Sequence, residues 1–280
     1  MNQGSQASGT GEPGVKTGCA EPLRRERDVD GTVTLTLNRP QALNTLSESL
    51  LIALQSELDA LEADTSARVL VLAGAGKAFC AGHDLREMRA APSLGYYQRL
   101  FGRCSRVMLT LRRLPIPVIA RVQGVATAAG CQLVAQCDLA VASTEARFAV
   151  SGLKVGLFCS TPAVPLSRNL TCKQAFEMLV TGEFIDAARA QTLGLVNRVV
   201  AAEQLDTEVQ RLAAEIITKP RSTVALGKEL FYRQSELGIE AAYEAATQTI
   251  ACNMMDEAAL EGVQAFLEKR PPRWPMPPPE

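Results

Sequence analysis

The chain is short of the features that mark several functional classes. It has 280 residues and one histidine, His83, so a metal centre built from histidines is not expected, and no bound metal is expected. Lys+Arg total 29 against Asp+Glu 30, a net charge of −1, which leaves no basic surplus to favour nucleic acid or an anionic membrane, although a local patch can still hold a phosphate. A small-molecule ligand is expected instead. No apolar run approaches the ~18 residues that a membrane span needs. The eight cysteines (Cys19, Cys80, Cys104, Cys131, Cys137, Cys159, Cys172 and Cys252) contain no CxxC pair, and several lie in apolar runs. That spacing suits buried free thiols in a reducing compartment better than a disulfide framework or a zinc site. The first segment, MNQGSQASGTGEPGVKTGCAEP, lacks a signal-peptide hydrophobic region and the Arg-rich character of a transit peptide. A cytoplasmic protein with a flexible tail over residues 1–28 follows as the expectation.

What is present is a core. At 47% hydrophobic and 21% charged, the chain can fill one sizeable α/β domain. TVTLTLN from Thr32 alternates polar and apolar residues, the mark of a strand with one buried face. LSESLLIALQSELDALEA then repeats leucines at helical spacing, with Ser47 or Thr45 suited to cap it. RVLVLAG (68–74) reads as a buried strand, AGKAFCAGHDLREM as a glycine-punctuated loop entering a helix, and YYQRLFGRCSRVMLTLRR (96–113) as a long helix. Strands PVIARVQG, DLAVAS (138–143) and LVNRVV (195–200) follow. From Ala202 to Lys269 the pattern is helical, interrupted at Pro220 and Gly238. The division expected is a tail over 1–28, an α/β core over 29–201 and a helical region over 202–280.

Residues 125–136, VATAAGCQLVAQ, carry little side chain where a strand gives way to a helix. Small residues let a ligand or another backbone approach the main chain, and a helix N-terminus offers unpaired amides to an oxygen gaining negative charge. Close packing of the helix on a sheet explains the same residues equally well.

Three segments together resemble the crotonase, or enoyl-CoA hydratase/isomerase, superfamily: LNRPQALNTLS (37–47), KAFCAGHDLREM (77–88) and VQGVATAAGCQLVAQCDLAVAS (122–143). GVQAFLEKRPPRW (262–274) is similar to the family's closing segment. The resemblance runs from Val33 to Trp274 and rests on the order and spacing of several motifs. It implies a ββα spiral core with a helical C-terminal trimerisation region, a homotrimer or hexamer, and an acyl-CoA thioester as ligand. Coenzyme A would arrive as part of that substrate, with no separate cofactor.

Carried onto this sequence, the family's two oxyanion amides fall on His83, after Ala81-Gly82, and on Ala129, before Gly130. Its two hydratase glutamates fall on Gln132 and Gly152, neither of which titrates. General acid–base catalysis typically contributes ~10²–10⁴-fold, so the resemblance implies a thioester-polarising site with crippled hydration. The His83 ring is a candidate proton carrier, or a structurally satisfied side chain. Cys159 is a polar contact or a buried thiol. Ala42 and Leu43 match a loop that meets the adenine, Leu85 and Arg86 flank the thioester loop, and Phe266 and Lys269 match residues that close the site in trans. Lys269 also fits a solvated helix end. Asp84 borders the substrate loop, and both Asp84 and Asp138 suit hydrogen bonding to backbone amides. The function implied is an acyl-CoA enzyme that stabilises a thioester enolate. A decarboxylase or thioesterase on the same scaffold, or a non-catalytic acyl-CoA-binding protein, is the alternative.

Overall fold

The alternation in TVTLTL sends Val33, Leu35 and Leu37 to one side of a strand, β2 (Thr32–Leu37), and that side is fully buried. In the computed structural model, which describes residues 21–90 and 92–274, β2 lies second in a six-stranded sheet. Its order is β1 (Leu23–Arg27), β2, β3 (Val69–Gly74), β5 (Val118–Val122), β7 (Leu139–Ser143) and β10 (Arg198–Val200). All neighbours are parallel except β1 and β2. The tail expected over 1–28 therefore gives way by Leu23, which pairs with Leu37. β1 is LRRER, with Leu23 alone buried, so its composition reads as tail while its backbone completes an edge. Residues 1–20 lie outside the described residues.

Both faces of the central strands are covered. Leu70, Leu72, Val118 and Ala120 join the main core with α1 (Glu48–Ala63) and α3 (Leu94–Arg113), whose Leu54, Leu58, Val107 and Leu111 face them. The alternate residues Val69, Val71, Ile119 and Val141 pack on Leu205, Val209 and Leu212 of α8 (Leu205–Ile217). A period of two on each strand thus feeds two separate apolar layers. Ser47 caps α1, its side chain accepting from the Leu50 amide at 3.2 Å.

A second sheet runs β4 (Ala78–Cys80), β6 (Val125–Thr127), β8 (Arg147–Ala149) and β9 (Ile185–Asp186). The first three are parallel. The segment around Phe79, which the sequence presents as a loop, is one of these strands. It is too short for alternation to show, and its pairing comes from residues nearly 50 positions away.

Helices α2 (Leu85–Ala90) and α4 (Ala129–Gln136) follow β4 and β6, and α5 (Ser160–Asn169), α6 (Cys172–Thr181) and α7 (Ala187–Leu193) lie between β8 and β10. After α8 come α9 (Arg221–Gln234), α10 (Ile239–Asn253) and α11 (Glu257–Leu267). One buried cluster ties α9 to the core. Lys228 Nζ donates to Asp138 Oδ2 at 2.6 Å and to the Leu111 and Ile116 carbonyls, while Tyr232 donates to Asp138 Oδ1 at 2.7 Å. Asp138 also accepts from the Val118 amide at 2.7 Å, which agrees with its reading as a backbone anchor. The outer faces of α10 and α11 leave Ile239, Tyr243, Ile250, Leu260, Val263 and Phe266 exposed.

Candidate functional site

Parallel strands deliver their carboxyl ends to one edge of a sheet, and the three parallel strands of the small sheet do so with short loops. β4 ends at Cys80 and leads into Ala81–Asp84, β6 leads into Ala128–Ala129, and β8 leads into 150–152. Cavities beyond strand carboxyl ends are where α/β proteins place ligands. A fourth segment, 42–46, lies beside the first. The Ala81 amide donates to the Leu43 carbonyl at 3.0 Å, Leu46 donates to the Gly82 carbonyl at 2.8 Å, and Asp84 donates to the Leu46 carbonyl at 3.3 Å. In this parallel bridge Leu46 is held by the residues on either side of His83, so the His83 amide is turned away from it.

The other candidate amide belongs to Ala129, the first residue of α4, which has no carbonyl inside the helix to receive it. The two loops touch. A Cβ built on Gly82, whose φ is +95°, would sit 3.0 Å from Ala128 Cβ and 3.5 Å from the Ala129 nitrogen. Gly130 has a different reason to be small: a Cβ there would run into the Cys80 carbonyl, so α4 rests directly on β4. Close packing therefore accounts for the small residues at both positions. Ala128 has φ +50° and ψ −119°, which an alanine adopts only under strain, and that conformation turns the chain from β6 into α4.

Gln132 lies one turn into α4, its amide donating to the Ala128 carbonyl at 3.0 Å. Helical side chains lean toward the preceding turn, so this one lies over Ala128 and Ala129. It is 3% exposed, and its Oε1 has no partner. The His83 ring stands edge-on to Phe101 at 5.2 Å, with Tyr97 behind Phe101 at 6.4 Å. Neither ring nitrogen has a hydrogen-bond partner. Burial pushes the His83 pKa down to about 4, against a smaller opposing effect of the Leu46 backbone, so the ring is neutral at pH 7.

Gly152 and Cys159 meet each other. A Cβ on Gly152 would run into the Leu157 carbonyl and sit 2.7 Å from Cys159 Sγ. A carboxylate side chain therefore does not fit at 152, and the obstacle is space, because φ is not positive there. Burial raises the pKa of the Cys159 thiol, which stays protonated at neutral pH. Beside them Thr127 and Ser151 share a hydrogen bond of 2.8 Å.

Asp84 holds geometry at the mouth. Its carboxylate accepts from Arg39 at 2.9 Å and from the Arg86 and Glu87 amides at 3.1 and 3.4 Å. Burial works against the charge, but Arg39 and the two amides outweigh it and hold the carboxyl below its ordinary value. Ala42 ends a 3₁₀ turn, Pro40–Ala42, and Leu43 follows with φ +52°. Leu85 and Arg86 are exposed on the first turn of α2. Phe266 and Lys269 are not brought to these loops by any hydrogen bond or ring contact among the described residues. Their segment is tied down by Arg270 on Glu261 and by Trp274 on the Thr218 carbonyl at 2.7 Å.

Sequence reasoning missed the brackets. Asn44, fully buried, donates from Nδ2 to the Ala75 and Ala78 carbonyls at 2.8 Å and accepts from the Arg39 amide at 2.9 Å. Gln123 donates from Nε2 to the carbonyls of Gly74, Gly76 and Ala78. Both sit inside the quoted motifs, and a side-chain amide set among apolar residues, next to Gly124 in the case of Gln123, was the available signal.

Residues 28–277 match the family model described as enoyl-CoA hydratase/isomerase. The enoyl-CoA hydratase domain-containing protein 3, mitochondrial, of Rattus norvegicus is 43% identical over 256 residues, 91% of this chain and 85% of that protein. A putative enoyl-CoA hydratase of Thermus thermophilus is 36% identical over 245 residues, covering 85% and 95%. Among solved structures, an enoyl-CoA hydratase from Mycobacterium smegmatis is 64% identical with a TM-score of 0.90, covering 90% of this chain and 98% of that one. Human enoyl coenzyme A hydratase domain-containing protein 3 has a TM-score of 0.87 at 42% identity, covering 90% and 100%. With most of its length matched by the family model and by these relatives, the chain belongs to the enoyl-CoA hydratase/isomerase family.

Proposed function

We propose that this protein is an acyl-CoA enzyme that polarises a thioester carbonyl with the His83 and Ala129 amides and stabilises the resulting enolate, and that it hydrates enoyl thioesters poorly. The single observation that carries this reading is the content of the pocket beside those amides. Gln132 reaches over them with an unpaired carbonyl oxygen, and 152 has no room for a carboxylate. One well-placed oxyanion donor contributes roughly 3 kcal/mol, so two account for several orders of magnitude in rate without any titrating side chain. The missing part is activation of water. His83 is a weak base at neutral pH because its ring is buried, which argues against a proton-carrying role.

Ala42, Leu43, Leu85 and Arg86 would take the coenzyme A portion along the mouth. The exposed apolar faces of α10 and α11 support self-association, as a trimer or hexamer, which would bring Phe266 and Lys269 of another copy to this site. Among the described residues no helix is long and apolar enough to cross a membrane. Free buried thiols suit a reducing compartment, the cytoplasm included.

The test is a mass-spectrometric screen of the purified protein against CoA thioesters, with crotonyl-CoA hydration followed separately. Binding of crotonyl-CoA with near-background hydration is expected, and Gln132→Glu should raise hydration by about 10²-fold. Brisk hydration by the parent protein would overturn the reading, and turnover of a malonyl-type ester alone would mark a decarboxylase.

A further inference from the structure

Helix α3 carries Arg99, Arg103, Arg106, Arg112 and Arg113 and no acidic residue, in a chain whose net charge is −1. Two of these arginines have partners. Arg103 donates to Glu48 at 2.7 Å, and Arg112 donates to Glu236 at 2.7 Å while lying over the Tyr232 ring. Arg99, Arg106 and Arg113 are exposed, and no hydrogen bond, ion pair or aromatic ring among the described residues engages their guanidinium groups. The end of a helix suits a cation, which accounts for Arg113 but for neither of the others. The three stand at intervals of seven, so they form one stripe with about 10.5 Å between neighbours.

The stripe borders a groove. Between α1 and α3 lie two recesses of about 590 and 430 Å³, which share Gln55, Asp59, Gly102 and Arg106 and so run together. Gly102 is the gap in the α3 wall, because a Cβ built there meets nothing within 4 Å. Ile52 on α1 and Leu109 on α3 are exposed along the groove. The α1 wall carries Asp59, which accepts from Gln55 at 2.6 Å, so the free cations stand on one side only.

We propose that this groove docks an acidic α-helix of another protein, with carboxylates at heptad spacing along the edge that faces α3 and apolar residues beside them. The proposal is independent of the acyl-CoA reading. Side chains seven apart on a helix lie about 10.5 Å apart on one face, so three carboxylates meet the three guanidinium groups in register while apolar residues cover Ile52 and Leu109. An anionic bilayer is flat and does not enter the recess at Gly102. A nucleic acid duplex sets a phosphate every ~3.4 Å along each strand and has no apolar face for those two side chains. Both would also bring negative charge to Asp59. A second copy of this chain does not supply the segment: among the described residues, every pair of carboxylates seven apart on its helices has a member held by an arginine of its own, as Glu236 is by Arg112 and Glu261 by Arg270.

The experiment is fluorescence anisotropy of a labelled, stapled helical peptide with Glu at heptad spacing and Leu beside it, titrated with the full-length protein. A control peptide has the same composition with its Glu residues scattered around the helix. The heptad peptide should bind about tenfold or more tightly than the control, and the combined changes Arg99→Gln, Arg106→Gln and Arg113→Gln should erase that preference. Gly102→Leu keeps every charge and gives α3 a better helix former, so Tm should hold or rise while the filled groove weakens the heptad peptide about tenfold. The affinity for crotonyl-CoA should be the same in parent and variants. Equal binding of the two peptides, or of neither, overturns the proposal. So does binding that survives Gly102→Leu, or equally effective competition by phosphatidylserine vesicles or duplex RNA, since each marks a cationic patch with no groove selectivity. A change of oligomeric state in the arginine variant, seen by sedimentation, would overturn it in favour of a second copy, and a parallel loss of crotonyl-CoA binding in favour of the thioester.

Discussion

The two sheets of this protein share one apolar core but differ in strand length and in the polar contacts that fix their loops. The strands β2, β3, β5 and β7 run five or six residues and place aliphatic side chains in two apolar layers, under α1 and α3 on one side and α8 on the other. The strands β4, β6, β8 and β9 run two or three residues, and polar brackets from Asn44 and Gln123 grip the backbone around β4. The small sheet also buries its side chains, Phe79 and Phe148 fully, in the main core. What it has in addition is a set of polar brackets from outside its strands that hold its loops at set positions, which is what two amides aimed at one oxygen require. Stability and site geometry are therefore separable by mutation, and each experiment below tests that division.

The largest effect is expected from Leu72→Ala, at a fully buried position of β3. Loss of the side chain and the cavity it leaves should cost about 2–5 kcal/mol in urea unfolding. The folded fraction should bind CoA esters as before. Weakened binding by folded protein would mean that the large sheet also sets the site.

Next is the pH dependence of His83, whose pKa is lowered from 6.5 to about 4 by burial. The unfolded chain takes up this proton first, so the stability is fully present above pH 6.5 and is lost as pH falls toward 4. The difference of 2.5 units corresponds to about 3 kcal/mol. Because the chain has a single histidine, one imidazole proton resonance should report the titration directly. Comparing the parent with His83→Phe between pH 7 and 5 isolates it from carboxylates such as Asp64 and Glu261, whose lowered values place their titration further down. A resonance titrating near 6.5 would show that water reaches the ring and that the small sheet's loops open in solution.

The division also explains what could be read from the sequence. The leucines of α1 and the alternation of β2 report local periodicity against a large apolar neighbour, and their boundaries fall within about two residues of those expected. The second sheet left no such trace. Ala78–Cys80 is three residues, and its partner Val125–Thr127 is chosen by chain topology. β1 was hidden by its charges. The candidate site residues come from motif resemblance, and His83, Ala129, Gln132, Gly152 and Cys159 lie on or against neighbouring loops. What no motif conveyed was the space at 152 or the orphaned oxygen of Gln132, since both depend on packing between segments.

Asn44→Ala should have a smaller effect on stability and a larger one on the site. Three hydrogen bonds are lost, the Ala75 and Ala78 carbonyls are left wanting, and a φ of +54° that asparagine tolerates must be taken by alanine. The cost should be about 1–3 kcal/mol. Because this side chain joins the 42–46 segment to the start of β4, affinity for CoA esters should fall as well. Unchanged affinity, measured by calorimetry on folded protein, would show that the oxyanion loop holds its position without the bracket.

The smallest effect, and the sharpest test, is Ala128→Gly. With φ +50° and ψ −119°, Ala128 occupies backbone space that costs a non-glycine residue about 1–3 kcal/mol. Glycine removes that strain but adds chain entropy worth roughly 0.5–1 kcal/mol to the unfolded state, so a net gain of about 1 kcal/mol is expected in thermal or urea unfolding. The bond from the Ala128 amide to the Ala149 carbonyl survives the change. What disappears is the methyl that faces Gly82 across the two loops, where an added Cβ would come within 3.0 Å. Without it the His83 and Ala129 amides are free to shift relative to each other, so turnover of whichever thioester is processed should fall several-fold while stability rises. Opposite signs in the two measurements would show that the alanine is there for geometry at the expense of stability. A variant that loses stability instead would mean that the methyl packs favourably enough to outweigh its strained backbone, and the strain would then have no role in setting the site.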